Sequence, residues 1–403
     1  MAFTRNSRTA RTVGYIGFVV GIVLFLYAIL TYLYHGAVPP PQSYARYFIL
    51  AIMVASVYSI CKDVEIIYII ERTIFCLVII SMVFYVIQLL QPDLLFNAMR
   101  FIENSIGIGS QDVYNTPRYQ YSSIFIYTIN VKRQSEFIRN CGFSFEPIAH
   151  SFFINLGILF NYIINRKIIP RQFSLYIIAL LTTMSTTGLI GLMLILVYIL
   201  ADNKRLRLII FPLALITLIV FMNVDYGFNK VEDAFFERRS IQESLDMATR
   251  HAGVSLGRIT ALEFATWYTF HNSPFIGFYG TQDPLFDNIG SPSGLARIIM
   301  HFGFVGVTLI LTALYFSIKM LVTTIYKKEH YAIIYIFMLL YLAAHSFVAS
   351  PIIWFFTLFF LNKQYAKRFV SNTYNSKTMG HGDAALAGQR SSRSICDQRG
   401  MAT

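Results

Sequence analysis

Residues 138–150, with the sequence IRNCGFSFEPIAH, place an arginine, a glycine and a carboxylate where a long apolar run begins. Charged groups next to a membrane helix are costly, and they mark either a functional site or an anchor at the level of the lipid headgroups. Pro147 suits the first turn of a helix, and Glu146 before it is expected to cap or flank the positive helix end. Gly142 permits a backbone turn between Arg139 and that helix. The alternative interpretation is an interfacial loop with one snorkelling arginine.

A second group of candidate residues comes later in the chain. Residues 235–265 carry charges at helical spacing, among them Arg250 and Arg258, a pattern that also fits a solvated pair of amphipathic helices. They lead into a glycine-rich turn, HNSPFIGFYG, which begins at His271 and is expected to be tight.

The apolar run after this turn opens with Arg297 and His301, which share a helix face because they are four residues apart. A lone histidine on such a helix is also typical of a packing residue. Gly303 and Gly306 predict the close approach of a neighbouring helix.

The elements that position these residues are membrane helices. Of the 403 residues, 56% are hydrophobic and 13% are charged, whereas soluble domains carry about 25% charged residues. An all-α polytopic membrane protein follows. The net charge of +12 does not indicate a nucleic-acid partner, because the basic residues fall between apolar runs, as the positive-inside rule requires. The four cysteines are scattered, so we expect no metal site, no disulfide framework and no cofactor.

The apolar runs predict about ten transmembrane helices within residues 1–369, with both termini in the cytoplasm. The runs 173–201 and 331–361 have basic residues on both sides, so each is interpreted as a hairpin of two short helices. Two long loops, about 91–149 and 223–294, then lie on the outer side. The first is expected to hold a surface helix near 96–108 and a strand or hairpin near 119–130. The tail, 370–403, is expected to be disordered.

The order of these motifs resembles one enzyme superfamily. Arg-x-x-Gly-x-x-x-Glu-Pro is followed by Ser/Thr-Thr-Gly in an apolar hairpin, by H-x-S-P-x-x-G-x-x-G, and by a helix that opens with x-x-Gly-x-x-Gly. This arrangement, over about residues 44–360, is similar to the O-antigen polymerases and ligases (the Wzy and WaaL families) of bacterial inner membranes. The chain is more similar to the polymerases, because GSPS stands at 290–293, where ligases commonly carry a histidine.

The resemblance implies a GT-C-like fold and metal-independent glycosyl transfer at the periplasmic face. The enzyme would join undecaprenyl-pyrophosphate-linked oligosaccharides into an O-antigen, capsule or exopolysaccharide. Its partners would be the lipid bilayer, a flippase and a chain-length regulator. An arginine can hold the departing diphosphate bidentately, and a carboxylate or histidine can act as base. The candidate catalytic residues are Arg139, Glu146, Arg258 and His271, and the candidate substrate-binding residues are Gly142, Arg250, Arg297 and His301.

Three other functions fit parts of the sequence. An O-antigen ligase or a protein oligosaccharyltransferase would use the same fold. A transporter of lipid-linked glycans is expected to carry charge along several spans, whereas here the charge gathers in the two outer loops. A purely structural or sensor protein is the third alternative.

Overall fold

The computed structural model is mostly helical. It describes residues 2–36, 41–60, 63–106, 119–124, 126–132, 138–144, 146–202, 254–255, 258–278, 289–290, 293–325, 330–345 and 350–359. The predicted span near 208–222, residue Arg250, much of the second long loop and the tail lie outside these residues.

The elements follow one another along the chain in three groups. The first contains α1 (Ala2–His35), α2 (Pro41–Ile60), α3 (Asp63–Leu90), α4 (Pro92–Ile106), β1 (Tyr119–Ile124) and β2 (Tyr127–Lys132). The second contains α5 (Pro147–Asn165), α6 (Pro170–Thr182) and α7 (Thr186–Asp202). The third contains β3 (Val254–Ser255), α8 (Arg258–Asn272), β4 (Ile289–Gly290), α9 (Gly294–Met320), α10 (Tyr331–Ala344) and α11 (Pro351–Leu358).

Four segments among the described residues are long and apolar enough to cross a membrane: Val13–His35, Ile66–Leu90, Pro147–Asn165 and Gly294–Thr323. Shorter apolar segments lie in α2, α7 and α10. A helix needs about 20 apolar residues to span the hydrocarbon core. The structure therefore agrees with the helical membrane protein that the composition predicts.

Helix α5 is the central helix, because nearly all of its residues from Pro147 to Ile163 are buried. Contacts along α5 give the directions of its neighbours. Helices α3, α6 and α10 run antiparallel to α5. Helix α7 runs parallel to α5. The two ends of this group of helices are named here the Pro147 end and the Asn165 end.

Both apolar runs that were expected to form two helices are divided. Run 173–201 breaks between Thr182 and Thr186, and run 331–361 breaks between Ala344 and Pro351. The first break lies slightly earlier than predicted, and Gly188 belongs to α7. The reason is that Ser185 caps α7, since its Oγ accepts a hydrogen bond from the Gly188 N–H at 3.1 Å.

A buried polar cluster joins α3, α5 and α6 at the Asn165 end. The Nδ2 atom of Asn161 donates to the carboxylate of Glu71 at 2.9 Å and to Oε1 of Gln172 at 2.5 Å. The hydroxyl of Tyr176 donates to the same carboxylate at 3.2 Å. Lipid offers no hydrogen-bond partners, so these contacts fix how the three helices align.

The first long loop contains the predicted surface helix, α4, and the predicted hairpin, in which β1 and β2 are antiparallel and Ile124 faces Tyr127. Both pack on the Pro147 end of α3, in a buried cluster of Tyr85, Leu95, Met99, Tyr127 and Ile129. The Tyr127 hydroxyl donates to Oε1 of Gln88 at 2.5 Å, and burial raises the pKa of this phenol well above its ordinary value.

Glu103 holds the hairpin to α4. Its buried carboxylate accepts hydrogen bonds from the Ser122 hydroxyl at 2.9 Å and from the Ser123 N–H at 3.3 Å. A buried carboxylate is stable only with such partners. The loop is therefore a folded layer attached to the Pro147 end.

Candidate functional site

Arg139 lies at the Pro147 end, against the turn that joins α6 to α7. Its Nε donates to the Thr183 carbonyl at 3.1 Å, and its Nη2 donates to the Met184 carbonyl at 3.1 Å. The carbonyls at a helix C-terminus have no partners within the helix and carry partial negative charge. The guanidinium group satisfies the carbonyls of the two residues that follow α6 and is itself held in a fixed orientation. Within the described part of the chain, its Nη1 has no hydrogen-bond partner.

Asn140 attaches the same segment to the end of α6. Its backbone N–H donates to the Thr182 carbonyl at 2.9 Å, and its Nδ2 donates to the Thr182 hydroxyl at 3.0 Å. Its Oδ1 accepts from the Gly142 N–H at 2.9 Å and closes a local turn. Arg139 is therefore fixed by its neighbour as well as by its own hydrogen bonds.

Gly142 makes the predicted turn, with a φ of +55°. Its carbonyl accepts a hydrogen bond from the Thr128 N–H of β2 at 2.7 Å, which ties the hairpin to the site. A Cβ atom at this position would lie only 2.2 Å from Cε1 of His150. Glycine is therefore needed twice, for its backbone conformation and for the space above the imidazole ring.

Glu146 is the N-cap residue of α5, and Pro147 occupies the first helical position as expected. Glu146 therefore flanks the helix start as expected, but its side chain makes no capping hydrogen bond. Its Oε2 lies instead 3.3 Å from Nδ1 of His345, the residue that follows α10. The Pro147 end thus holds a carboxylate–imidazole pair, and both side chains are partly exposed.

His150 is a residue of this site that the sequence reasoning missed. It is fully buried, its Nε2 lies 3.2 Å from the Ser81 hydroxyl, and its ring meets that of Phe143 edge-on at 5.2 Å. Its Nδ1 has no hydrogen-bond partner among the described residues. The sequence shows only that His150 lies in an apolar run. That position does not distinguish a histidine that packs in the core from one that belongs to a functional site.

A second missed feature is a polar network directly below the site, within the membrane helices. Nδ2 of Asn155 donates to the Tyr341 hydroxyl at 2.7 Å and to the Gly188 carbonyl at 2.8 Å. The Ser151 hydroxyl lies 3.3 Å from the Tyr341 hydroxyl and donates to Oγ of Ser185 at 3.3 Å. These contacts join α5, α7 and α10 beneath the turn that Arg139 holds.

The second group of candidates lies on α8 and α9. His271 is exposed near the end of α8, and its Nδ1 lies 2.8 Å from the Trp267 carbonyl. Because a carbonyl only accepts hydrogen bonds, we assign a proton to Nδ1, and in the neutral ring Nε2 is then the acceptor atom. Arg297 is exposed one turn before His301 on α9, as their spacing predicts.

Helix α9 is interrupted at Gly303, whose φ of +61° and ψ of −172° are not helical. The turn after α8 fills the break, since the Phe304 N–H donates to the Pro274 carbonyl at 2.8 Å and the Met300 carbonyl accepts from the Phe278 N–H at 2.7 Å. The expectation that a neighbouring helix approaches Gly303 and Gly306 is therefore wrong. Gly303 contacts the backbone of this turn, and Gly306 lies against Phe302 of its own helix.

The end of α1 also contacts this turn. Nε2 of His35 lies 2.8 Å from the Gly277 carbonyl and 3.1 Å from the Ser273 hydroxyl. The Tyr27 hydroxyl donates to the His301 carbonyl at 3.0 Å, so it satisfies another backbone group that the break releases. Irregular backbone in a membrane needs such partners. The described part of the predicted turn after His271, residues 273–278, is a tight turn and packs into the break in α9.

Arg139, Gly142 and Glu146 lie along the one segment that leads into α5, whereas His271 lies near the end of α8 and Arg297 and His301 lie on α9, which packs against α8. Across the described residues, no hydrogen bond or ion pair joins Arg139 to His271 or Arg297. Arg258 is the first residue of α8, but its side chain lies outside the described part. The pairing of Arg139 with Arg258 therefore stays a prediction. In the same described ranges, no group of three or more His, Cys, Asp or Glu side chains could hold a metal ion.

Comparisons with protein-family models, with curated proteins and with solved structures found no match to this chain.

Proposed function

We propose that the protein is a polysaccharide polymerase of the bacterial inner membrane, with about ten spans, a GT-C-like fold and both termini in the cytoplasm. It joins undecaprenyl-pyrophosphate-linked repeat units at the periplasmic face, which is the Pro147 end. A hydroxyl of one lipid-linked repeat attacks the anomeric carbon of another. The bond from that carbon to the diphosphate oxygen breaks, and undecaprenyl diphosphate leaves as the hydroxyl gives up its proton.

The observation that carries this proposal is the fixed guanidinium group of Arg139 at the end of a membrane helix. A departing diphosphate gains negative charge, and a donor that is already oriented stabilises that charge without having to reorganise. Two hydrogen bonds fix the plane of the guanidinium, while Nη1 makes none within the described residues. Arg139 therefore suits one oxygen of the diphosphate, and the proposal takes further positive charge from Arg258 or Arg250 of the second loop.

The pair of Glu146 and His345 suits the acceptor side of the reaction. A carboxylate 3.3 Å from an imidazole nitrogen can orient that ring or share a proton with it. Glu146 also begins the helix that follows the turn at residues 139–142, named here the Arg139 turn. The groups proposed for the donor and for the acceptor therefore come from one continuous segment. His271, on the second loop, is the alternative base.

The polar groups of α5 favour this reaction over transport. His150, Asn155 and Asn161 lie along a nearly fully buried helix, and each contacts a polar group of a neighbouring helix. Such contacts suit a rigid scaffold better than a path for a sugar chain. A ligase or oligosaccharyltransferase remains the nearest alternative, and the acceptor distinguishes it from a polymerase.

The experiment is to express Arg139→Ala in cells that make the polymer and to measure the length of the glycan chains. We expect single-repeat products with normal amounts of protein in the membrane, and Arg139→Lys is expected to be nearly as poor. Arg171→Ala is the matched control, because Arg171 is an exposed arginine at the opposite end of α6. A normal ladder of chain lengths in Arg139→Ala would refute the role of this residue.

A second comparison tests the other loop. Arg258→Ala is expected to give single repeats, and Arg238→Ala is expected to give a near-normal ladder. The reverse result would move the second diphosphate contact to another part of the loop. A reporter fused after Asn229 is expected to lie in the periplasm, and a cytoplasmic reading would contradict the topology.

A further inference from the structure

Helix α4 has an apolar face that no described part of the protein covers. Leu94 and Phe101 are 62% and 73% exposed, and they lie two turns apart on the same face as Ala98. The exposed polar residues Asp93, Asn97 and Asn104 line one edge of this apolar face. A third face, with Leu95, Met99 and Glu103, is buried against the rest of the protein.

The position of α4 is fixed by the chain on both sides. The spanning segment of α3 ends at Leu90, and α4 begins at Pro92, so the helix starts where the chain leaves the membrane. Leu95 and Met99 share a buried cluster with Tyr85 of α3 and with the β-hairpin. Helix α4 is therefore packed with the hairpin at the Pro147 end of α3.

The apolar face of α4 is continuous with the outward surface of α3. Val83, Val86 and Leu90 on α3 are 55%, 49% and 76% exposed, and Leu94 follows them at the start of α4. In a spanning helix, such exposed apolar residues face lipid. An amphipathic helix whose apolar face joins this surface fits the boundary between headgroups and acyl chains.

We propose that α4 lies in the plane of the membrane, with Leu94, Ala98 and Phe101 inserted among the lipids of the leaflet at the Pro147 end. The partner is the lipid surface itself. Glu103 on the buried face holds the β-hairpin, and Thr128 of that hairpin holds Gly142. The lipid surface thereby sets the depth at which the Arg139 turn sits. This inference does not depend on the proposed enzymatic reaction.

The test uses the full-length protein in vesicles of phosphatidylcholine and phosphatidylglycerol. Trp267 and Trp354, the two native tryptophans, are changed to phenylalanine. A single tryptophan is then introduced as Phe101→Trp or, as the matched control on the polar edge of α4, as Asp93→Trp. Fluorescence is measured with lipids brominated on their acyl chains and, separately, with aqueous acrylamide.

We expect brominated lipids to quench Phe101→Trp several-fold more strongly than Asp93→Trp, and acrylamide to show the opposite order. Quenching of Phe101→Trp by acrylamide alone would overturn the proposal, because the face would then lie in water. Protection of Phe101→Trp from both quenchers would also overturn it, since another protein surface would then cover the face.

Discussion

Replacing Gly142 by alanine tests how tightly the Arg139 turn is built. The backbone at Gly142 has a φ of +55°, and a side chain in this left-handed region costs roughly 1–2 kcal/mol. The new methyl group would lie 2.2–2.5 Å from three atoms of the His150 ring, and overpacking of this kind typically costs about 1–3 kcal/mol. The ring cannot move away freely, because it is buried between Ser81 and Phe143. The sum of the two estimates is about 2–5 kcal/mol.

Cys141 is a native reporter for this change, since it is a buried cysteine adjacent to Gly142. With the other cysteines replaced, its reaction with a maleimide measures how often the turn opens. Each 1.4 kcal/mol is a factor of about ten, so a loss of 2 kcal/mol raises the labelling rate roughly 25-fold. Gly36→Ala is the control, because Gly36 also has a positive φ but has nothing within 4 Å of its added methyl group. It should leave the labelling of Cys141 unchanged.

The double variant Gly142→Ala/His150→Ala separates the two costs. Removal of the ring relieves the clash but not the backbone strain, so the two changes should be coupled by about 1–3 kcal/mol. Additive effects, with a coupling below about 0.5 kcal/mol, would refute the packing of Gly142 on His150.

Three further changes probe the remaining contacts by denaturant titration in mixed micelles. Arg139→Lys removes two hydrogen bonds to the carbonyls after α6 and should lower the free energy of unfolding by about 1–2 kcal/mol, while Arg171→Lys should not change it. Glu103→Ala leaves a buried hydroxyl and a backbone N–H of the hairpin without an acceptor, so it should cost about 1–3 kcal/mol and speed proteolysis of the hairpin. Tyr341→Phe removes the hydrogen bond from Asn155 within the membrane and should cost about 0.6–1.7 kcal/mol. An unchanged titration curve for any of the three would contradict the contact assigned to it.

Much of the fold could be predicted because hydrophobicity and proline determine where membrane helices lie. Pro147 marks the start of α5, and the break before Pro351 divides the last apolar run. The surface helix and the hairpin of the first loop were also predictable, since their patterns are local. The break in α9 was not, because Gly303 takes its conformation from the turn after α8, which packs against it from elsewhere in the chain.

The composition of the candidate site could be predicted, but its contacts could not. The sequence singled out Arg139, Gly142 and Glu146, yet the carbonyls that hold Arg139 belong to a turn 44 and 45 residues further along the chain. Glu146 flanks the start of α5 as its spacing predicts, whereas its contact with His345 joins it to a distant part of the chain. Only three-dimensional packing distinguishes these partners.

The most direct test is to reconstitute the purified protein in liposomes with a synthetic undecaprenyl-pyrophosphate-linked repeat unit and to measure polymer length together with released undecaprenyl diphosphate. We expect a ladder of products with one undecaprenyl diphosphate released for each linkage formed, and neither product from the folded Arg139→Ala variant. A protein that is folded and inserted but moves the lipid-linked unit across the bilayer, with no linkage formed and no diphosphate released, would contradict the proposed polymerase.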